Sequence, residues 1–292
     1  MSRGGSIPAL TVGKNLLGNV DVNGPGLAVG GNLGTSGYNG NGGGNAYIGG
    51  SWTGSANFNL NGSGNVYLGG TQTGTGNVNG GQLFTNYTSS AFAANVPTSA
   101  TVNAVQNSLT SYSAALAGLT QNSLVTLSNG TANFNAAPNS QGVAVFKIAN
   151  ATSFFSAVSQ ITFNLNGASE LVVDISGAGA SPLNIAANFL GGQAQSLATD
   201  TIWNFIDAQD VTINNQFGGD VLAPYAALTL KGNEEGTLVA QSLVQNAEVH
   251  FDGADTSLVA ATPLPATAYL FVGAFGLMLL MARRRRWSDV MA

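Results

Sequence analysis

The feature that most limits what this chain can become is a short motif that returns about every twenty residues. Val29-Gly30-Gly31, Ile48-Gly49-Gly50 and Leu68-Gly69-Gly70 recur at intervals of nineteen and twenty, each preceded by a small or aromatic residue (Ala28, Tyr47, Tyr67) and followed by a polar stretch. A second series, Val211-Thr212-Ile213, Leu228-Thr229-Leu230 and Val249-His250-Phe251, repeats at seventeen and twenty-one. Between its members, Gly219-Asp220-Val221-Leu222-Ala223 returns after seventeen residues as Gly236-Thr237-Leu238-Val239-Ala240. Short alternating triplets at such periods describe the rungs of a solenoid, where a rung buries its apolar side chains only by stacking on a neighbour. The expected fold is mainly β: a right-handed β-helix.

Composition fits that reading. The 40 glycines are expected at corners, because tight corners call for positive φ, which Gly adopts freely and Asn tolerates. One stretch breaks the β pattern. Val102, Val105, Leu109, Tyr112, Leu116 and Leu119 fall at three- and four-residue steps, one face of an α-helix over about 101–119. Thr98 or Ser99 can cap its start and Gly118 marks its exit, and such a helix would flank the solenoid. Residues 123–127, 142–148, 159–165 and 170–175 read as further strands.

Charge excludes several function classes. Only 7% of the residues are charged, against about 25% in ordinary soluble proteins. Before Pro263 the basic residues are Arg3, Lys14, Lys147 and Lys231 against a dozen acids, which leaves no Lys/Arg cluster to hold nucleic acid. The absence of cysteine removes disulfides and thiolate metal sites. No phosphate-cradling G-x-x-x-x-G-K or G-x-G-x-x-G occurs, nor the Gly-Gly-x-Gly-x-Asp repeat of calcium-loaded β-rolls; Gly42-Gly43-Gly44-Asn45 comes nearest.

The body resembles the choice-of-anchor A domain over roughly 16–251. The resemblance lies in Val20-Asp21-Val22-Asn23-Gly24 with Gly26-Leu27-Ala28-Val29-Gly30-Gly31-Asn32-Leu33, and in Gly219-Asp220-Val221-Leu222-Ala223-Pro224-Tyr225-Ala226 with Gly236-Thr237-Leu238-Val239-Ala240-Gln241-Ser242-Leu243. It implies a surface or matrix protein and supplies no catalytic residues.

The end of the chain reads as a sorting and anchoring device. Pro263-Leu264-Pro265-Ala266 is followed by an apolar stretch, 267–282, and by Arg283, Arg284, Arg285 and Arg286. Counted from Leu264 to Ala282 the span approaches the ~20 residues a membrane helix needs, and the arginines would hold its end in the cytoplasm with the body outside. Residues 252–262 form a linker to it. This tail (263–287) resembles the PEP-CTERM sorting signal of Gram-negative bacteria in its Val-Pro-Leu-Pro-Ala variant, with Thr262 in the first position. The resemblance implies processing by an exosortase and delivery to the envelope or extracellular matrix. An exported protein needs an N-terminal signal; Met1-Ser2-Arg3-Gly4-Gly5 opens directly into domain-like sequence, so residues 1–15 are expected to be a truncated or mis-assigned start.

Candidate chemistry is sparse. His250, the single histidine, allows one conceivable triad with a serine and Asp252 or Asp255, and no G-x-S-x-G accompanies it. Asp207, Asp210 and Asp220 offer carboxylates for a polysaccharide-cleaving enzyme, with turn capping the preferred reading. Thr71-Gln72-Thr73-Gly74-Thr75 suggests a threonine row of the ice-binding kind. Tyr38 and Trp52 are candidate carbohydrate contacts, with Tyr47 and Tyr67 expected as rung filler. The resulting expectation is a non-enzymatic surface or adhesion protein without cofactor or metal, with an exosortase, the membrane and exopolysaccharide as partners.

Overall fold

The computed structural model describes residues 10–23, 26–41, 44–60, 64–86 and 99–250, without the side chains of Tyr38 and of residues 99–105. The tail from residue 251, with its sorting motif, apolar stretch and arginines, lies outside the described residues, as do residues 1–9.

The fold is mainly β, a three-sided parallel solenoid that the chain enters in the middle. The first half contains β1 (Leu10–Val12), β2 (Leu16–Asn23), β3 (Leu27–Val29), β4 (Leu33–Asn41), β5 (Ala46–Ile48), β6 (Ser55–Asn59), β7 (Val66–Leu68), β8 (Thr75–Asn79) and β9 (Leu83–Phe84). The helix α1 (Ser99–Ala117) leads to the second half: β10 (Leu124–Ser128), β11 (Thr131–Asn135), β12 (Val143–Ile148), the short helix α2 (Ala151–Ala157), β13 (Gln160–Asn164) and β14 (Glu170–Ile175). Next come β15 (Leu183–Ile185), β16 (Asn188–Phe189), the single-turn α3 (Gln193–Ser196), β17 (Thr201–Phe205), β18 (Asp210–Ile213) and β19 (Phe217–Gly218). The half closes with β20 (Asp220–Leu230), β21 (Glu234–Glu235), β22 (Leu238–Gln245) and β23 (Glu248–His250).

Strand pairing fixes the faces. On face one the order is β12, β14, β17, the start of β20, the start of β22, β1, β3, β5, β7 and β9, all parallel. Face two runs β15, β18, the ends of β20 and β22, the starts of β2 and β4, then single bridges at Trp52 and Gln72. Face three runs β19, β21, β23, the ends of β2 and β4, β6 and β8. At the far end β10, β11, β13 and β16 form a separate four-stranded sheet. The first and last rungs of the chain are thus neighbours: β1 lies between β22 and β3, and Gln245 Nε2 donates to the Asp21 carbonyl (2.7 Å) across 224 residues of sequence. This seam joins the two halves, and its first strand lies ahead of the expected boundary at residue 16.

The two-residue alternation of strands sends every second side chain inward. Leu238, Leu10, Leu27, Ala46 and Val66 form one such column, each 0–2% exposed. The second half is filled by aromatic rings: Phe134 stacks on Phe163 (4.4 Å) and meets Phe146 and Trp203 edge-on. The helix expected over 101–119 is present as Ser99–Ala117 and lies against β14, β17 and β20 on face one. Its inner side is not purely apolar. Buried Asn204 donates to Asp174 Oδ1 (2.8 Å) and to the Ser113 carbonyl (2.9 Å), and Ser113 Oγ donates to Asn204 Oδ1 (2.5 Å). Lys147 donates to the Ala117 carbonyl at the helix end (2.8 Å), where a cation suits the dipole.

Two expectations need correction. The second glycine of each Gly-Gly corner (Gly31, Gly50, Gly70) is there for space, not for positive φ. A Cβ at Gly50 would sit 2.2 Å from Asn32 Oδ1 and 2.8 Å from the Gly31 carbonyl, and its φ is ordinary. The room is used by side chains that bridge rungs: the Asn32, Ser51 and Thr71 amides donate to Asn15 Oδ1, Asn32 Oδ1 and Ser51 Oγ. Second, the triplets Val211-Thr212-Ile213 and Leu228-Thr229-Leu230 do stack on face two, but the next rung there is Leu243-Val244-Gln245. Val249 and His250 pair instead with Glu234 and Glu235 on face three.

Candidate ligand-contact face

Face three carries an ordered array that the sequence reading did not single out. On β2, β4, β6 and β8 the outward positions are Asn19, Asp21 and Asn23; Gly37, Asn39 and Asn41; Ser55, Asn57 and Asn59; Thr75, Asn77 and Asn79. Parallel register puts like residues above one another, so the amides form two columns. In one, Asn41 donates to Asn23 Oδ1 (3.4 Å), Asn59 to Asn41 Oδ1 (3.0 Å) and Asn79 to Asn59 Oδ1 (2.8 Å). In the other, Asn77 donates to Asn57 Oδ1 (3.4 Å), and Asn59 also donates across to Asn39 Oδ1 (3.2 Å). Such ladders fix rotamers that would otherwise be free on a solvent face.

Beyond Asp21 and Asn23 both columns pass through the seam into charged residues, since Glu248 is in register with Asp21 and His250 with Asn23. The imidazole lies 3.0 Å from Glu235 Oε2 at Nδ1 and 2.6 Å from Glu248 Oε2 at Nε2. Partial burial alone would lower its pKa, but the hydrogen bonds to Glu248 and Glu235 prevail and raise it. Glu235 Oε1 also accepts from Gln216 Nε2 (2.6 Å). Asp21 is held above its ordinary pKa by burial, reinforced by Glu248 and opposed by the hydrogen bond from Asn39.

Of the two residues expected to touch sugar, Trp52 is turned inward. Trp52 is fully buried, edge-on to Phe58 at 5.4 Å, with Nε1 donating to the Gly54 carbonyl (3.0 Å); it is rung filler and has no face to offer. Tyr47 and Tyr67, expected as filler, point outward on face one between buried neighbours. Their rings stack on one another (5.4 Å, 11°) and Tyr67 stacks on Phe84 (5.2 Å, 11°), with Asn45 and Asn65 donating to the two phenol oxygens. The Tyr67 ring is thus stacked on both faces. Tyr38 pairs with Val20 by backbone register; its side chain lies outside the described residues.

The threonine row is split by a corner. Thr73 follows Gln72 on face two, whereas Thr75 opens β8 on face three. The aspartates do not converge either. Asp207 accepts from the Gly177 (2.9 Å) and Ala178 (3.3 Å) amides as a turn cap. Asp210 begins β18 on face two, and Asp220 begins β20 on face one, accepting from the Thr237 amide (2.7 Å). Burial pushes the Asp220 pKa up to about 7, against the lowering by Thr237. Asp252 and Asp255 lie outside the described residues. Among the described residues no group of three or more His, Asp or Glu is placed to hold a metal ion, and no helix is long and apolar enough to cross a membrane.

Comparison with known proteins places the chain. No curated protein and no solved structure matches it. A family model described as "Putative Ice-binding-like adhesive domain" matches residues 4–251, the span that contains every strand among the described residues. The chain belongs to this ice-binding-like adhesive family.

Proposed function

We propose that this protein is a non-enzymatic adhesion module of the cell surface or extracellular matrix, and that face three is its contact surface. The observation that carries the reading is the pair of amide columns from Asn23 to Asn79 and from Asn39 to Asn77, rigid and outward-facing in a domain of an adhesive family. A flat array of fixed hydrogen-bonding groups gains affinity by repetition, because each further contact is intramolecular once the first has formed.

Export and anchoring complete the proposal. The tail Pro263-Leu264-Pro265-Ala266, the apolar stretch and the four arginines support processing by an exosortase and delivery to the envelope, and the likeness to choice-of-anchor A proteins supports the same destination. Asp207, bonded as a turn cap, and the separation of Asp210 from Asp220 support a role without catalysis. Beads coated with the full-length protein should adhere to matrix-bearing cells. Adhesion should fall at least tenfold when Asn41 and Asn59 are both replaced by leucine, and persist when Thr229 on face two is. Equal adhesion of all three proteins would refute the choice of face.

The family description also supports ice as the adhered surface. Thr53 and Thr73, both exposed in successive rungs of face two, are the residues such a reading would use. It predicts thermal hysteresis that vanishes when both are made bulky.

A further inference from the structure

We infer that the ligand of face three is an extended, uncharged glycan laid along the solenoid axis across the amide columns; this rests on the adhesion reading above. Three observations lead there. A carboxamide has two N–H donors and an oxygen with two lone pairs, and the ladder uses only part of this capacity. Among bonds between described residues, Asn23, Asn39, Asn41, Asn57 and Asn59 each accept once at Oδ1, and Asn41, Asn77 and Asn79 each donate once to a neighbouring rung. A row of groups that each still offer an acceptor, and in several cases a donor, matches sugar hydroxyls, which donate and accept alike.

The second observation is the repeat. Adjacent rungs stand about 4.8 Å apart, so the spare valences recur at a short regular step in a straight line. Hydroxyls of an extended glycan chain recur in the same manner, and four rungs of amides would engage several sugars at once. Because the ladder has already fixed the amide rotamers, binding loses little further side-chain freedom.

The third is charge. From Asn39 to Asn79 the two columns are neutral, and at the seam they end in Asp21, Glu248 and Glu235 with His250 as the basic partner. An anionic polymer meets three carboxylates at that end and no Lys or Arg on the outward positions of the columns, whereas a neutral chain meets no penalty. Recognition by ring stacking is disfavoured on this face, because Trp52 is buried and Tyr47 and Tyr67 lie on face one.

Affinity electrophoresis of the full-length chain in gels containing hydroxyethyl cellulose or glucomannan, against alginate, tests the assignment. The neutral glycans should retard the protein and alginate should not. Asn57→Ala with Asn77→Ala should weaken retardation at least tenfold while the circular dichroism melt stays that of a folded solenoid; Thr229→Ala should leave retardation unchanged. If alginate retards the protein as strongly, or the paired asparagine variant binds the neutral glycan normally, the assignment is wrong. Loss of bead adhesion in that variant without any neutral-glycan retardation would overturn the glycan alone and leave the contact face standing. Unchanged bead adhesion would overturn both.

Discussion

His250 Nδ1 lies 3.0 Å from Glu235 Oε2 one rung away, and His250 sits on the strand that zips onto β2, so the chain's single histidine lies beside the contact between its two halves. A histidine whose folded pKa is raised gives stability that is complete at low pH and is lost as pH rises through the folded value. The melting temperature should therefore fall as pH rises above the ordinary histidine range, about 6.5. In His250→Gln the slope should flatten; an unchanged slope would remove the histidine from the account.

Asp220 adds to the same trend from a different face. Its pKa rises from 3.8 to about 7 on folding, so the fold binds that proton more tightly than the unfolded chain and loses stability as pH climbs through this window. Asp220→Asn keeps an oxygen for the Thr237 amide and should raise the melting temperature at about pH 8, with little effect at about pH 4. Calorimetry at both values separates it from His250.

Burial reverses the expected ranking of the aromatic residues. Trp52→Ala, which empties a fully buried site beside Phe58, should cost about 3–5 kcal/mol in urea unfolding. Tyr47→Ala removes an outward ring stacked on Tyr67 and should cost clearly less, since such a pair is worth about 0.5–1.5 kcal/mol beyond its area.

The corner glycines give a test of close packing. Gly50→Ala drives a methyl group into Asn32 Oδ1 and the Gly31 carbonyl and should destabilise by about 1–3 kcal/mol. At Gly13 the nearest obstacle is the Gln106 side chain at 3.1 Å, which can swing aside, so Gly13→Ala should stay within about 0.5 kcal/mol. Equal costs would mean that rung spacing yields at the corners.

Much of this fold can be read from the chain. Residues 170–175 are a strand as expected, the helix is displaced by two residues at each end, and the seventeen-residue repeat of Gly219-Asp220-Val221-Leu222-Ala223 marks true rung neighbours. Local periodicity reports which residues alternate; it does not report which face they join. Val249-His250-Phe251 has the sequence pattern of Leu228-Thr229-Leu230, and yet Val249 and His250 join a different face, because a partner strand decides. The seam is equally hidden, since nothing local in Leu10–Val12 announces pairing with Leu238, Val239 and Ala240. The amide columns were legible: Asn23, Asn41, Asn59 and Asn79 recur at eighteen, eighteen and twenty residues. Abundant Asn and Gly between them obscured the period. Tyr47 also follows from alternation, because Ala46 and Ile48 on either side are inward.

The most direct test exploits a chain without cysteine. Single cysteines at Asn57 on face three and at Thr229 on face two are labelled with a maleimide, first in solution and then with the protein adhering to matrix-bearing cells. The account predicts that adhesion slows labelling at position 57 at least tenfold and leaves position 229 as reactive as before. Protection at 229 with free labelling at 57 would contradict it.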